Sequence, residues 1–315
     1  MNFQTRRGLS AVLAAVSIGL LASCGGGSLV DEFDPRRIIA FGDQMTVVDD
    51  SASEGNGVKY SINAVEAEDD EPLCARYPNW ALYVAESYGL EFPECAPLDA
   101  ADDTPSINNA QVGARVQEIE AQVDAFFDGP EDFGDRDLVL VMGGANDIIE
   151  QYEQVEDGLA TESQARTELR RRGEQLAEVV NRIARADGRV VVSTVPHLHR
   201  SPYARARPEG DRDVIERLTN EFNSTLRSEL LNDGHLIGVM RADLEVARAL
   251  ESPGSRNIDN TSGAACATPL PNCTVETLQD GANVRWMWAD DRQFGPTMHR
   301  RFGELAVRRA RNNPF

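Results

Sequence analysis

The chain has 315 residues and a formal charge of −21, with 52 acidic against 31 basic side chains. A body this acidic repels nucleic acid, which excludes a nucleic-acid partner from the expected roles. The length suits one large α/β domain, and no internal repeat or second core is legible.

Arg6 and Arg7 precede an apolar run from Leu9 to Leu21. Such a run suits a signal peptide and is too short to cross a bilayer. It ends in Leu21-Ala22-Ser23-Cys24, which looks like a bacterial lipobox. The expectation is a lipoprotein signal peptide over 1–23, lipid on Cys24, and a flexible tether over 24–36 holding a body at 37–315 near a membrane. Cleavage takes away two arginines and no acid, which turns −21 into −23. No aspartate follows the cysteine directly, which in a Gram-negative cell implies the outer membrane, facing the periplasm.

Arg37-Ile38-Ile39-Ala40-Phe41 reads as a short buried strand that ends in Gly42-Asp43. Residues 47–72 are polar, with an acidic run from Glu66 to Glu71, and read as an insertion loop. Helical spacing places Trp80, Val84 and Tyr88 on one face over 79–88, and Val116, Ile119, Val123 and Phe127 on one face over 115–127. Residues 137–142 and 189–194 are apolar and β-branched, as buried strands are, with a long charged helix between them at 161–186. A helix over 212–231, a strand over 236–240 and a final helix over 298–309 complete the pattern. Strands alternating with helices predict a three-layer α/β/α sandwich around a parallel sheet of about five strands. Ligands are then expected at the carboxyl ends of the strands. Gly42, Gly143 and Pro196 all follow strands, so the loops they begin should meet on that edge.

Besides Cys24, four cysteines remain in a chain marked for export, and an even number favours two disulfides. Three pairings are possible; proximity favours Cys74–Cys95 and Cys266–Cys273. A zinc site is the competing reading, weakened by the lack of any C-x-x-C.

Four segments resemble, in order, the blocks of the SGNH (GDSL-type) ester hydrolases: Phe41-Gly42-Asp43-Gln44, Asn109-Ala110-Gln111-Val112-Gly113-Ala114, Gly144-Ala145-Asn146-Asp147, and Ala289-Asp290-Asp291-Arg292-Gln293 followed by Pro296-Thr297. The resemblance implies a flavodoxin-like sandwich, an oxyanion hole made by the Gly113 N–H and the Asn146 side chain, and Asp290 as the carboxylate of a triad. It also places Gln44 where the family has its nucleophilic serine, and Gln293 where it has its histidine base.

Acyl transfer needs a nucleophile and a base oriented by a carboxylate. The amide of Gln44 is no nucleophile, and Gln293 cannot take up a proton near neutral pH. Losing such a triad costs about 10⁶ in rate. The leading expectation is therefore a pseudo-hydrolase whose pocket holds an acyl, acetylated or glycan-like ligand without cofactor or metal. The alternative is an active ester hydrolase with a relocated pair, Thr46 as nucleophile and His299 as base. A His-x-His pair, His197 and His199, follows the third strand and could hold a metal only with a further ligand; two loop histidines are the simpler reading. A third class is a structural envelope lipoprotein that binds a partner protein, with Trp80, Tyr83, Trp286 and Trp288 as candidate contacts.

Overall fold

The computed structural model describes residues 33–66, 71–96 and 105–312. The segment read as a signal peptide, Cys24 and most of the expected tether lie outside the described residues. Phe33 begins the compact unit; it is buried, and the Arg189 guanidinium lies 4.5 Å from its ring centroid. The body therefore takes in Phe33 to Arg36, which the sequence reading left to the tether.

In chain order the elements are β1 (Arg37–Gly42), β2 (Val48–Asp49), β3 (Val58–Lys59), α1 (Trp80–Ser87), β4 (Ile107–Asn108), α2 (Val116–Phe127), β5 (Asp137–Met142), α3 (Ala145–Glu156) and α4 (Glu162–Arg185). They continue with β6 (Arg189–Ser193), α5 (Pro202–Arg205), α6 (Glu209–Glu229), β7 (Ile237–Met240), α7 (Ala242–Glu251), β8 (Asn260–Ala264), β9 (Trp286–Trp288) and α8 (Pro296–Asn312). The central sheet has five strands in the order β4-β1-β5-β6-β7, and all its pairings are parallel.

Successive residues of a strand point to opposite faces, and both faces here are apolar. Ile39, Phe41, Val139, Val141, Val190 and Val192 join one core with residues of α2, α3, α4 and α6. Ile38, Ala40, Leu138, Leu140 and Val191 join a second core with residues of α1, α7 and α8. This is the three-layer sandwich that the run-like, rather than alternating, apolar strands imply. α4 starts as its sequence dictates: Thr161 caps it, its hydroxyl accepting the Gln164 N–H while the Gln164 side chain accepts the Thr161 N–H.

Six elements went unread in the sequence: the two-residue edge strand β4, the strands β8 and β9, and the helices α3, α5 and α7. The stretch read as a wholly irregular insertion carries a short antiparallel pair, β2 with β3. The favoured cysteine pairs are both bonded, Cys74–Cys95 and Cys266–Cys273. Among the described residues no helix is long and apolar enough to cross a membrane.

Trp80 and Trp288 belong to the core rather than to a docking face. Both are fully buried, Trp288 stacking on Phe294 with centroids 4.2 Å apart.

Candidate functional site

Parallel strands end together, and the loops that follow β1 and β5 carry the first and third blocks to one edge. Gly144 makes the turn into α3 possible. Its φ is +100°, and a Cβ there would lie 2.4 Å from the Phe222 ring, so only glycine fits. Asn146 then sits in the first turn of α3. The next residue, Asp147, accepts the Val116 N–H at 3.0 Å and so holds the start of α2 against the start of α3. Just before α2, Gly113 lies at φ +77°, in the left-handed region, which aims its N–H at the residue after Asp43.

That residue, Gln44, is buried. Its Oε1 accepts the Gly113 N–H at 3.1 Å and an Asn146 Nδ2 hydrogen at 3.0 Å. Its Nε2 donates back to Asn146 Oδ1 at 3.2 Å. Asn146 Nδ2 is further fixed by donating to the Ala114 carbonyl at 2.9 Å. The two donors that the resemblance assigns to an oxyanion are thus paired with a carbonyl oxygen of the chain itself.

Asp290 lines the same cleft. Its Oδ1 accepts the N–H groups of Arg292 at 2.8 Å and Gln293 at 2.5 Å, a tight turn built by the aspartate. Burial raises its carboxyl above the ordinary aspartate value. Gln293 lines the cleft as well, and its buried Oε1 has no hydrogen-bond partner among the described residues. The cleft holds about 680 Å³. Its far wall is the loop closed by Cys266–Cys273, through Ala267 to Leu270, and Tyr60, Val112 and Arg292 complete its rim. The sequence reading named Gln44, Gly113, Asn146, Asp290 and Gln293; the structure brings all five to this cleft. It missed Tyr60, Arg292 and the loop wall, for which the stapled cysteines were the available signal.

Two buried carboxylates support the corner from behind. Asp43 Oδ1 accepts the Met45 N–H at 3.0 Å, and burial pushes its carboxyl up to about 7. Burial likewise pushes Asp147 up to about 6, with Arg172 at 3.8 Å pulling the other way.

The relocated pair is not assembled at the cleft. Thr46 is fully buried, and its hydroxyl oxygen accepts the Trp80 indole N–H at 3.1 Å. His299 is buried in the first turn of α8; neither ring nitrogen has a partner among the described residues, and burial pushes its pKa down to about 4. Neither residue lines the cleft. His197 and His199 sit in a separate hollow with ring centroids 5.1 Å apart, and His199 Nε2 is 3.8 Å from Glu216 Oε1. Among the described residues no group of three His, Cys, Asp or Glu side chains could hold a metal ion.

The parallel sheet between two helical layers is the architecture that the SGNH/GDSL resemblance implies, and the four blocks meet at one edge of it. Neither a family model nor a curated relative matches the chain. Solved structures similar to it include a lipolytic protein of the G-D-S-L family from Veillonella parvula, 13% identical over 86% of this chain and 96% of that one, with a TM-score of 0.44. An acetylxylan esterase from Geobacillus stearothermophilus is 14% identical over 89% and 96%, with a TM-score of 0.45. An extracellular lipase from Streptomyces rimosus is 17% identical over 86% and 97%, with a TM-score of 0.48.

Proposed function

We propose that this chain is a non-hydrolytic, ligand-binding member of the esterase-like fold, carried in the cell envelope by a lipid on Cys24. The observation that carries the reading is the Gln44 amide. It lacks the nucleophilic oxygen of a serine, and its carbonyl occupies the two donors an oxyanion needs. A substrate carbonyl would have to displace two hydrogen bonds, worth roughly 1–3 kcal/mol together, before any catalysis began. Gln293 offers no basic nitrogen beside Asp290. Removing one oxyanion donor alone costs about 10²–10³ in rate; here both are engaged and the nucleophile and base are replaced as well.

The cleft outside the amide pair remains a place to bind. It presents planar polar groups (Asp291, Arg292, Gln293) facing a wall of Pro269 and Leu270, with Tyr60 alongside. The Gln293 side chain lines this cleft, which places an amide where a ligand hydroxyl or N–H would meet it. An acyl, acetylated or glycan-like ligand bearing such donors matches this mixture of polar and apolar surface. The test is calorimetric titration with acetylated oligosaccharides and their deacetylated forms. The reading expects binding without release of acetate, weakened by Gln293→Ala. Release of acetate at an enzymatic rate would overturn it.

A further inference from the structure

A second hollow, of about 560 Å³, shares no lining residue with the cleft above. Three arginines from separate stretches of the chain reach it: Arg76, Arg285 and Arg300. Tyr77 and Tyr83 line it between them, and Glu86 is its one carboxylate. Arg285 and Arg300 are each tied to a carboxylate outside the hollow, Asp259 at 2.5 Å and Glu304 at 3.1 Å. Arg76 makes no ion pair among the described residues; its guanidinium lies 5.6 Å from the Tyr77 ring centroid. With Asp259 and Glu304 counted beside Glu86, three guanidinium groups meet three carboxylates here, a local balance that sets the hollow apart in a chain with a net charge of −21.

The turn that presents Arg76 and Tyr77 is unusually well fixed. Lys59, the sole lysine of the sequence, is buried and donates to the carbonyls of Cys74 at 2.7 Å and Arg76 at 3.2 Å. Cys74 is itself bonded to Cys95. Tyr77 is held at φ +54°, a conformation that costs a side-chain-bearing residue about 1–3 kcal/mol and persists only where the surroundings dictate it. This pinning fixes the backbone from which the Arg76 and Tyr77 side chains project, as pre-organised sites require.

We propose that this hollow binds an organic oxyanion of the phosphate-monoester class, its anionic group on Arg76, Arg285 and Arg300 and its apolar or ring portion against Tyr77 and Tyr83. Guanidinium forks match the spacing of phosphate oxygens and accept a flat ring beside them. Glu86 disfavours a simple polyanion and suits a ligand with one charged end.

The experiment is calorimetric titration of the folded protein with phenyl phosphate, inorganic phosphate and phenol, and co-sedimentation with vesicles containing an anionic phospholipid. Phenyl phosphate should bind tightest, about tenfold or more above either of its halves. Arg76→Gln with Arg300→Gln should weaken it about tenfold or more, since a charge-assisted hydrogen bond is worth roughly 1.5–3 kcal/mol. All these side chains are exposed, so the fold is expected to stand, and a circular dichroism melt checks that. The control Arg308→Gln with Arg309→Gln makes the same charge change farther along α8, at exposed positions, and should leave binding unchanged. Equal weakening by both pairs would reduce the effect to net charge and overturn the site. So would the absence of heat at millimolar ligand, or binding to vesicles alone.

Discussion

Gln44 and Asn146 form a reciprocal amide pair: Asn146 Nδ2 donates to Gln44 Oε1 at 3.0 Å, and Gln44 Nε2 donates to Asn146 Oδ1 at 3.2 Å. With the Gly113 N–H as a third arm, the side chain at the nucleophile position closes the oxyanion corner from inside.

This closure makes the corner a restorable one. Gln44→Ser frees both donors and supplies a hydroxyl, and Gln293→His supplies a base two residues from Asp291 and three from Asp290. The double variant is expected to turn over aryl acetates measurably while neither single variant does, because nucleophile and base act as a unit. Adding Asn146→Ala to the double variant should then cost about 10²–10³ in kcat. A stopped assay of acetate release with all four proteins checks the pattern.

Gly144→Ala should destabilise the fold strongly. The new methyl would meet the Phe222 ring at 2.4 Å, with the backbone at φ +100°. Overpacking alone costs about 1–3 kcal/mol, and the strained conformation adds to it. Urea unfolding should show a lower midpoint at an unchanged slope.

The Cys266–Cys273 bond closes a short loop that forms the cleft wall. Replacing both cysteines with serine should cost about 2–3 kcal/mol on the loop-entropy estimate. Ligand binding in the cleft should weaken while the hollow around Arg76 is unaffected. Thermal melts and titrations of the double variant separate the two effects.

Lys59 predicts a pH dependence. Burial lowers its folded-state pKa from the ordinary 10.5 to about 7. Between those values the unfolded chain binds a proton that the folded chain does not, so stability rises as pH rises from about 7 towards 10.5. Lys59→Met should remove that rise, flattening the difference between the two proteins' unfolding midpoints above pH 10. A wild-type protein whose advantage over Lys59→Met does not grow across this window would contradict the assignment.

Much of the fold was legible because apolar runs with two-sided burial, such as Ile38 to Phe41 and Leu138 to Val141, leave little choice of layer. α3 was not, since its first turn carries Gly-Ala-Asn-Asp, residues that read as a loop until Gly144 is seen in the left-handed conformation. β4 is two residues long and has no period to detect. The substitutions at 44 and 293 were visible as letters, but the filling of the oxyanion corner was not. Nothing in spacing tells where an amide oxygen points. Thr46 and His299 illustrate the converse: suitable chemistry near the right place in sequence, placed by the fold in the interior.

The central claim is that the native chain does not hydrolyse esters, and purified protein assayed against short-chain aryl acetates tests it most directly. The account predicts a rate equal to that of a Gln44→Ala, Gln293→Ala control, with or without added zinc. Turnover well above that control, abolished by Thr46→Ala or His299→Ala in folded protein, would contradict it.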